Sequence, residues 1–558
     1  MNVKTLLVAA VVSAGGLLYA QAVDEEIELP DVTTVISGGA FTAGKDSVPD
    51  YKEILPETDS PKIQLPTMGK SKAEGISVKD RSESLSKEKD IYAEGELGAG
   101  YPFYFIGDFS VYRASGNSPF AINFSHESSE GFASEKAREG YFIRNTKVAG
   151  EKGYHNEKCD HNIFAEYKTS DDGLQLNSKQ FTDMVKHNIT GGFDSKWNFK
   201  NGMFLSYGFS GDWFSRYGQL SNENVFDGTS IPEKTFYSES SALTLLPVFS
   251  FGWSGNGFNA FFKSSYTGQF NLKQADNLVK AEGSSSSESS HRAQFTLGGG
   301  WKKDLLELSL DGSLVVGSAI GEKDVVPAFA LGLNYSTDMI EGQFMTISLK
   351  GGLDSYQSKL STLENLYKYS VLPCLPVETT DWFCDFGLDF PVNPMLEFNA
   401  GIGFKKTAFE NGIWQADYGS STLKHGLYKI FNVERTDFNT KLGASFDYNN
   451  VKFGAEWKSF WKDVPVLEEQ QSILATISYQ SESTKWNLGA STKVAMGDDV
   501  DACPDISGWA GVKLAPALSV AFRLNDTVKL FTRESRKYAH SAYIQKGGSA
   551  VLLVKFQF

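Results

Sequence analysis

Nothing limits the fold of this chain more than a period of two that begins near Ile91 and runs on to Phe558. The stretch "WFCDFGLDFPVNPMLEFNAGIGF" from Trp382 to Phe404 shows it best. Trp382, Cys384, Phe386, Leu388 and Phe390 share one face, and Phe383, Asp385, Gly387 and Asp389 share the other. After the turn Pro391-Val392-Asn393-Pro394, Leu396, Phe398, Ala400, Ile402 and Phe404 oppose Glu397, Asn399, Gly401 and Gly403. Side chains alternate across a strand, so this is a hairpin with one apolar face and one mostly polar face.

The same device recurs. Ala293, Phe295, Leu297 and Trp301 lead into Leu306, Leu308, Leu310 and Leu314; Phe446 and Tyr448 turn at Asn449-Asn450 into Val451, Phe453 and Trp457. Leu245, Phe249, Phe251 and Trp253 turn at Ser254-Gly255-Asn256-Gly257 into Phe258, Ala260 and Phe262. Many Phe and Tyr residues accompany a chain that is 41% hydrophobic and carries a net charge of −15, a combination that fits alternating strands rather than apolar helices. The negative balance argues against a nucleic-acid partner.

Connections alternate in length. Short turns are expected at 254–257, 302–304, 391–394, 448–450 and 481–484, and long polar loops at 128–159, 218–239, 272–288, 354–379, 407–434 and 533–546. Turns on one side and loops on the other are the pattern of an outer-membrane barrel, with periplasmic turns and extracellular loops. Aromatic residues gather beside the turns (Trp253, Phe258, Trp301, Phe390, Tyr448) and at the far ends (Tyr266, Trp457, Trp461), as two interfacial girdles require. A soluble sandwich would have to cover each aromatic face with another sheet and would not sort its loops by side. The expected fold is therefore all-β, a transmembrane antiparallel β-barrel of about 22 strands, with roughly 16 to 20 as the alternative count. The segment 517–532 is among the clear strands of that count, and 173–182, 160–170, 118–127, 102–114 and 91–100 are its least regular members.

Three segments follow. Residues 1–22, with Lys4 before the apolar run Leu6–Leu18 and the small-x-small Ala20-Gln21-Ala22, read as a signal peptide. Residues 23–90 are rich in Ser, Lys and acidic side chains and read as an extended or partly disordered periplasmic arm that can enter the lumen. Residues 91–558 form the barrel. The final strand places Ala550, Leu552, Val554, Phe556 and Phe558 on one face and ends on an aromatic, which resembles the signal read by the barrel-assembly machinery, with Phe556 and Phe558 carrying it.

The closing region "KLAPALSVAFRLNDTVKLFTRESRKYAHSAYIQKGGSAVLLVKFQF", with Asn525-Asp526 before its loop and Gly547-Gly548 before its last strand, resembles the last strands of TonB-dependent receptors. "ELGAGYPFYFIGDFSVYRASGNSPFAINFSHESSEGF" resembles their early strands. The resemblance implies a receptor-like barrel, and the segment before Ile91 carries no recognisable plug signature. Asp31, Val32, Thr33, Thr34, Val35 and Ile36 form a TonB-box-like stretch through which TonB or another periplasmic protein would bind.

The charges of the polar face are expected to line the lumen: Asp381, Asp385, Asp389, Glu397, Lys405, Lys441, Asp447, Lys452, Glu456 and Lys458. "HNEKCDH" from His155 to His161, placed in a long outer loop, offers an incomplete zinc set and reads as a solvated loop, so no metal is expected. Cys159 and Cys503 could pair between outer loops, whereas Cys384 falls on the lipid face, away from Cys374. No nucleophile or paired-carboxylate arrangement points to an enzyme, and no cofactor is implied. The expected function is solute passage across the outer membrane, with outer-membrane lipid around the barrel and the lumen partly occluded by the arm or by inward-folded loops. A surface adhesin displaying the loops at 128–159, 354–379 and 407–434 is the alternative.

Overall fold

The computed structural model describes residues 91–557 except 114–117, 133, 157, 179–180, 221–238, 274–287, 321–324, 341–342, 373, 410–411, 420–422, 424–425, 482–484, 498–500 and 502. The segments expected as signal peptide (1–22) and arm (23–90, with Asp31 to Ile36), and Phe558, lie outside the described residues. A single 22-stranded sheet carries the chain. Each barrel strand pairs antiparallel with the next, and the ring closes where Tyr92–Tyr101 pairs with Ser549–Gln557, Glu94 opposite Gln557 and Tyr101 opposite Ala550. A closed ring leaves no strand edge, which is what a sheet in hydrocarbon must achieve.

The opening hairpin forms as its alternation requires. Thr379–Asn393 pairs with Leu396–Thr407, Phe386 opposite Ile402 and Phe390 opposite Phe398. Leu297, Leu310, Leu331, Phe386, Ile402, Leu442 and Ile477 are exposed, and the cross-strand registers put them on one continuous outer face. Water would not tolerate an apolar belt of that extent. Facing lipid, it defines a membrane-spanning barrel. No described helix is long and apolar enough to cross a membrane; strands do so.

Tight turns close one end at 256–257, 304–305, 394–395, 449–450 and 516–517. Asn256 and Gly257 adopt positive φ (53° and 78°), the geometry that matches a two-residue turn to the twist of its strands. The opposite end carries the connections 131–141, 357–378, 408–435, 463–470 and 526–548. Strand length is uneven around the ring. Phe181–Asn198 and Met203–Leu220 have 18 residues each, whereas Leu518–Asn525 has 8 and Ser549–Gln557 has 9.

Four expectations need correction. The strand expected over 173–182 does not form: one strand ends at Gly173, the chain turns with Gln175 and Leu176 at positive φ, and the next strand begins at Phe181. The expected loop 128–159 instead contains the strand Phe142–His155, so the two errors offset and the total stands. The strand read as 517–532 stops at Asn525 and gives way to a short helix, Thr527–Thr532, capped by Asp526. The His155–His161 motif sits at the short-turn end, where His155 Nδ1 meets Asp160 at 3.1 Å, and not in an outer loop. Cys159 therefore lies at the end opposite Cys503, and all four cysteines are free.

Candidate functional site

The largest buried cluster among the described residues is built mainly from chain between the strands, with Phe181, Met184, Phe214 and Ala242 contributed by the wall. It fills the mouth at the long-loop end, where the connections 357–378, 408–435 and 526–548 fold inward. The first of these carries the helix Leu360–Leu366, whose Leu360 and Leu363 share a face and are buried. A helix start leaves backbone N–H groups without partners. Lys359 supplies no side-chain cap; the barrel wall does, as Gln269 accepts from the Leu360 N–H at 3.2 Å and donates to the Ser358 carbonyl at 2.9 Å. Ser361 Oγ donates to Asp212 at 2.8 Å.

Beyond the helix, Ser370–Val371 pairs parallel with Tyr428–Val433, which pairs antiparallel with Ile413–Asp417. This small sheet ties the first two loops together. The third joins through tyrosines: Tyr543 stacks on Tyr369 with ring centroids 3.7 Å apart, and Tyr538 lies edge-on to Tyr369 and Tyr418. Every hydroxyl in this group finds a partner. Tyr367 donates to the Trp414 carbonyl at 3.0 Å, Tyr418 to the Lys368 carbonyl at 3.1 Å, Tyr543 to the Gly426 carbonyl, and Tyr538 accepts from the Lys368 N–H at 3.2 Å. Burial pushes the Tyr367 and Tyr538 hydroxyls up to about 12. Gln175, in the turn misread as strand, clasps both backbone groups of Ile544 at 2.7 and 2.9 Å.

Ion pairs fasten this lid to the wall. Arg216 Nε lies 2.7 Å from Glu364 Oε2, and Arg292 Nε lies 3.1 Å from Glu378 Oε2, with both carboxylates fully buried. Arg292 also donates to the Ser355 carbonyl at 2.7 Å and to Gln294 at 2.9 Å. Lys186 donates to the Glu364 carbonyl, and Lys368 meets Asp172 at 3.4 Å. Burial raises the Glu378 carboxyl above the usual carboxylate range, against the pull of Arg292. Pairs of this kind hold a position more than they stabilise it, because desolvation offsets most of the attraction.

The charges expected along the lumen occupy the face opposite the exposed aromatics, the face on which Arg216 and Arg292 meet the lid. Asp381 is buried at the top of its strand and accepts from Tyr356 Oη at 3.2 Å. Asp385 and Asp389 continue that row downward, with Lys405 and Glu397 on the neighbouring strand. Lys441 pairs with Glu456, Lys452 with Asp447 and Lys458 with Glu468, each at 2.9 Å. None of these side chains touches the Arg216 or Arg292 pair. The latch residues Lys186, Arg216, Arg292, Glu364 and Glu378 are absent from the sequence expectation. One signal could have found the lid: Leu360, Leu363, Leu366, Tyr367, Tyr369, Val371, Leu372 and Leu375 are too apolar for a loop in water.

No family model and no curated relative matches the chain. Solved structures do. The FrpB iron transporter of Neisseria meningitidis superposes with a TM-score of 0.59 at 11% identity, covering 84% of this chain and 81% of its own. The copper transporter OprC gives 0.60 at 12%, covering 84% and 80%. The siderophore receptor PirA of Acinetobacter baumannii gives 0.59 at 8%, covering 86% and 81%. The fold is that of the TonB-dependent receptor barrels. Identity this low speaks to fold alone.

Proposed function

We propose that this receptor-type barrel passes a polar solute across the outer membrane and that the lid in its mouth is the gate. The observation that carries the reading is the way the lid is seated: inward-folded loops packed on the inner face of the wall and held there by the Arg216–Glu364 and Arg292–Glu378 pairs. A fixed stopper needs no buried charges, whereas a removable one benefits from groups that water can re-solvate once it lifts. Below it, the row of Asp381, Asp385, Asp389, Glu397, Lys405, Lys441, Asp447, Lys452, Glu456 and Lys458 would replace water around the solute.

The long loops would face the exterior and the short turns the periplasm. Residues 23–90 would join the barrel at the turn end, where Asp31 to Ile36 could engage TonB, and Phe556 with Phe558 would guide assembly. The loops 357–378 and 408–435 commit Leu360, Leu363, Tyr367, Trp414, Tyr418 and Tyr428 to the buried cluster, which leaves less for an adhesin to display. The test is planar-bilayer conductance of the intact chain and of a variant with 357–378 replaced by a Gly/Ser linker. Large steps in the variant support a gated channel; a silent variant barrel refutes it. Capture by a TonB C-terminal domain, with and without Asp31 to Ile36, tests energised uptake.

A further inference from the structure

Lys186 and Arg216 stand directly opposite each other on adjacent strands, both on the inner face and both almost wholly buried. Like charges directly across a ladder repel, and burial denies them water. Such a pair needs an anion between them. Here the anion comes from the chain itself: Glu364 presents a carboxylate to Arg216 and its own backbone carbonyl to Lys186. The nearby acids are shared with other groups: Asp172 attracts Lys186 but also meets Lys368 at 3.4 Å, and Asp212 accepts from Thr190 and Ser361.

The fit is imperfect. Glu364 Oε1 accepts from the Leu372 N–H at 3.0 Å, while Oε2, 2.7 Å from Arg216, is not aligned for a hydrogen bond. Arg216 Nε and Nη1 complete no hydrogen bond with any described residue. A guanidinium is a fork built for two parallel bonds to an oxyanion, and this one is left half used.

We propose that Lys186 and Arg216 form an oxyanion-binding site for the transported solute, and that Glu364 is a built-in surrogate that an incoming carboxylate or phosphoryl group displaces. The inference rests on the transport reading and deepens it by naming the chemical class of the solute. An anion that satisfies both arms of Arg216 takes the place of Glu364 and frees the helix Leu360–Leu366 from the wall.

The test uses the full chain in two assays. In planar bilayers, succinate or inorganic pyrophosphate added at the long-loop side, against chloride at equal ionic strength, should raise open probability at least tenfold and saturably. The two anions separate a carboxylate solute from a phosphoryl one. In detergent, calorimetric titration of Glu364→Gln should show half-saturation at least tenfold lower than wild type, because the competitor has gone. A Lys186→Gln, Arg216→Gln double variant should lose both responses, with unheated gel mobility reporting that the barrel has folded; if it does not fold, the Glu364→Gln titration decides alone. Absence of binding by both wild type and Glu364→Gln overturns the proposal, as does an undiminished response in a folded double variant. Failure of the loop-replaced barrel to conduct strikes the transport reading instead, since the titration is independent of conductance.

Discussion

The Arg292–Glu378 pair offers a quantitative handle on the gate. Three chains would be compared with wild type: Glu378→Leu, Arg292→Met, and both together. Removing one member of a buried pair costs about 3–5 kcal/mol when the remaining charge has no other partner. The two members differ in that respect. Arg292 without Glu378 keeps the Ser355 carbonyl at 2.7 Å and Gln294 at 2.9 Å. Its loss should therefore fall nearer the cost of a charged hydrogen bond, about 1.5–3 kcal/mol. Glu378 without Arg292 keeps only the Ser355 hydroxyl and should lie at the top of the range at neutral pH. Two apolar side chains of similar volume would leave no charge behind, so the double variant should close within about 1 kcal/mol of wild type.

At about 1.4 kcal/mol per tenfold, these figures become measurable populations. Open probability should rise about 10- to 100-fold in Glu378→Leu, more in Arg292→Met, and return close to wild type in the double variant. A pH series adds a sign. Burial raises the Glu378 carboxyl above its ordinary value, so its contribution to closure is complete below that ordinary value and is lost as pH rises through the raised one. Deleting Arg292 removes the opposing pull, and Arg292→Met should close again on acidification from pH 8 toward pH 5. Single-channel recording in planar bilayers reads every one of these quantities. Additive single and double effects, or closure of Arg292→Met that ignores pH, would refute the reasoning.

Other expectations can be checked separately. Leu297→Arg, on the exposed outer face, should destabilise the barrel by about 2–4 kcal/mol in a lipid refolding titration; a neutral result would mean that this face does not meet hydrocarbon. Lys546 lies 3.5 Å above the Tyr104 ring centroid and 3.7 Å from Glu127, and burial lowers its ammonium to about 8. A depressed lysine adds to closure fully above about 10.4 and loses that contribution as pH falls through about 8. Proteinase K should therefore nick 526–548 faster at pH 7 than at pH 10, and Lys546→Met should flatten that difference. Because Cys384 is exposed on the outer face, a membrane-soluble maleimide should label it in proteoliposomes where a charged one does not. Non-reducing and reducing gels should agree, as Cys159 and Cys503 sit at opposite ends.

The barrel was legible because lipid enforces alternation on every spanning strand, so hairpins such as Thr379–Thr407 declare themselves. It failed where other forces set the pattern. Phe142–His155 puts Arg144, Thr146, Gly150 and Lys152 on its outer face beside Val148 and Tyr154, and a strand with so few apolar positions looks like a loop. Leu174 and Leu176 imitate alternation across a turn, where Leu174 is in fact buried under the lid. The lid has no period, because it packs as irregular chain against a curved wall. Its ion pairs join Arg216 to Glu364 and Arg292 to Glu378, and local pattern does not connect residues that far apart in sequence.

The uneven wall explains how such a gate can work without disturbing the barrel. A strand crosses the hydrocarbon in about 9–11 residues. Leu518–Asn525 and Ser549–Gln557 are about that length or shorter, but Phe181–Asn198 and Met203–Leu220 run to 18 residues and must project beyond the membrane. Lys186 lies in the first third of the former and Arg216 in the last third of the latter, both toward the long-loop end. The principal latch is therefore mounted on the projecting wall, outside the hydrocarbon. When the lid lifts, its charges and those of the wall meet water rather than lipid, which removes the desolvation cost that closure imposed. No ladder hydrogen bond of the spanning region has to break. Shortening the projecting strands by a matched pair of residues on each should leave the barrel folded in unheated gels yet shift Arg216 away from Glu364 and raise basal conductance; unchanged conductance in a folded variant would mean that the closure resides elsewhere in the mouth.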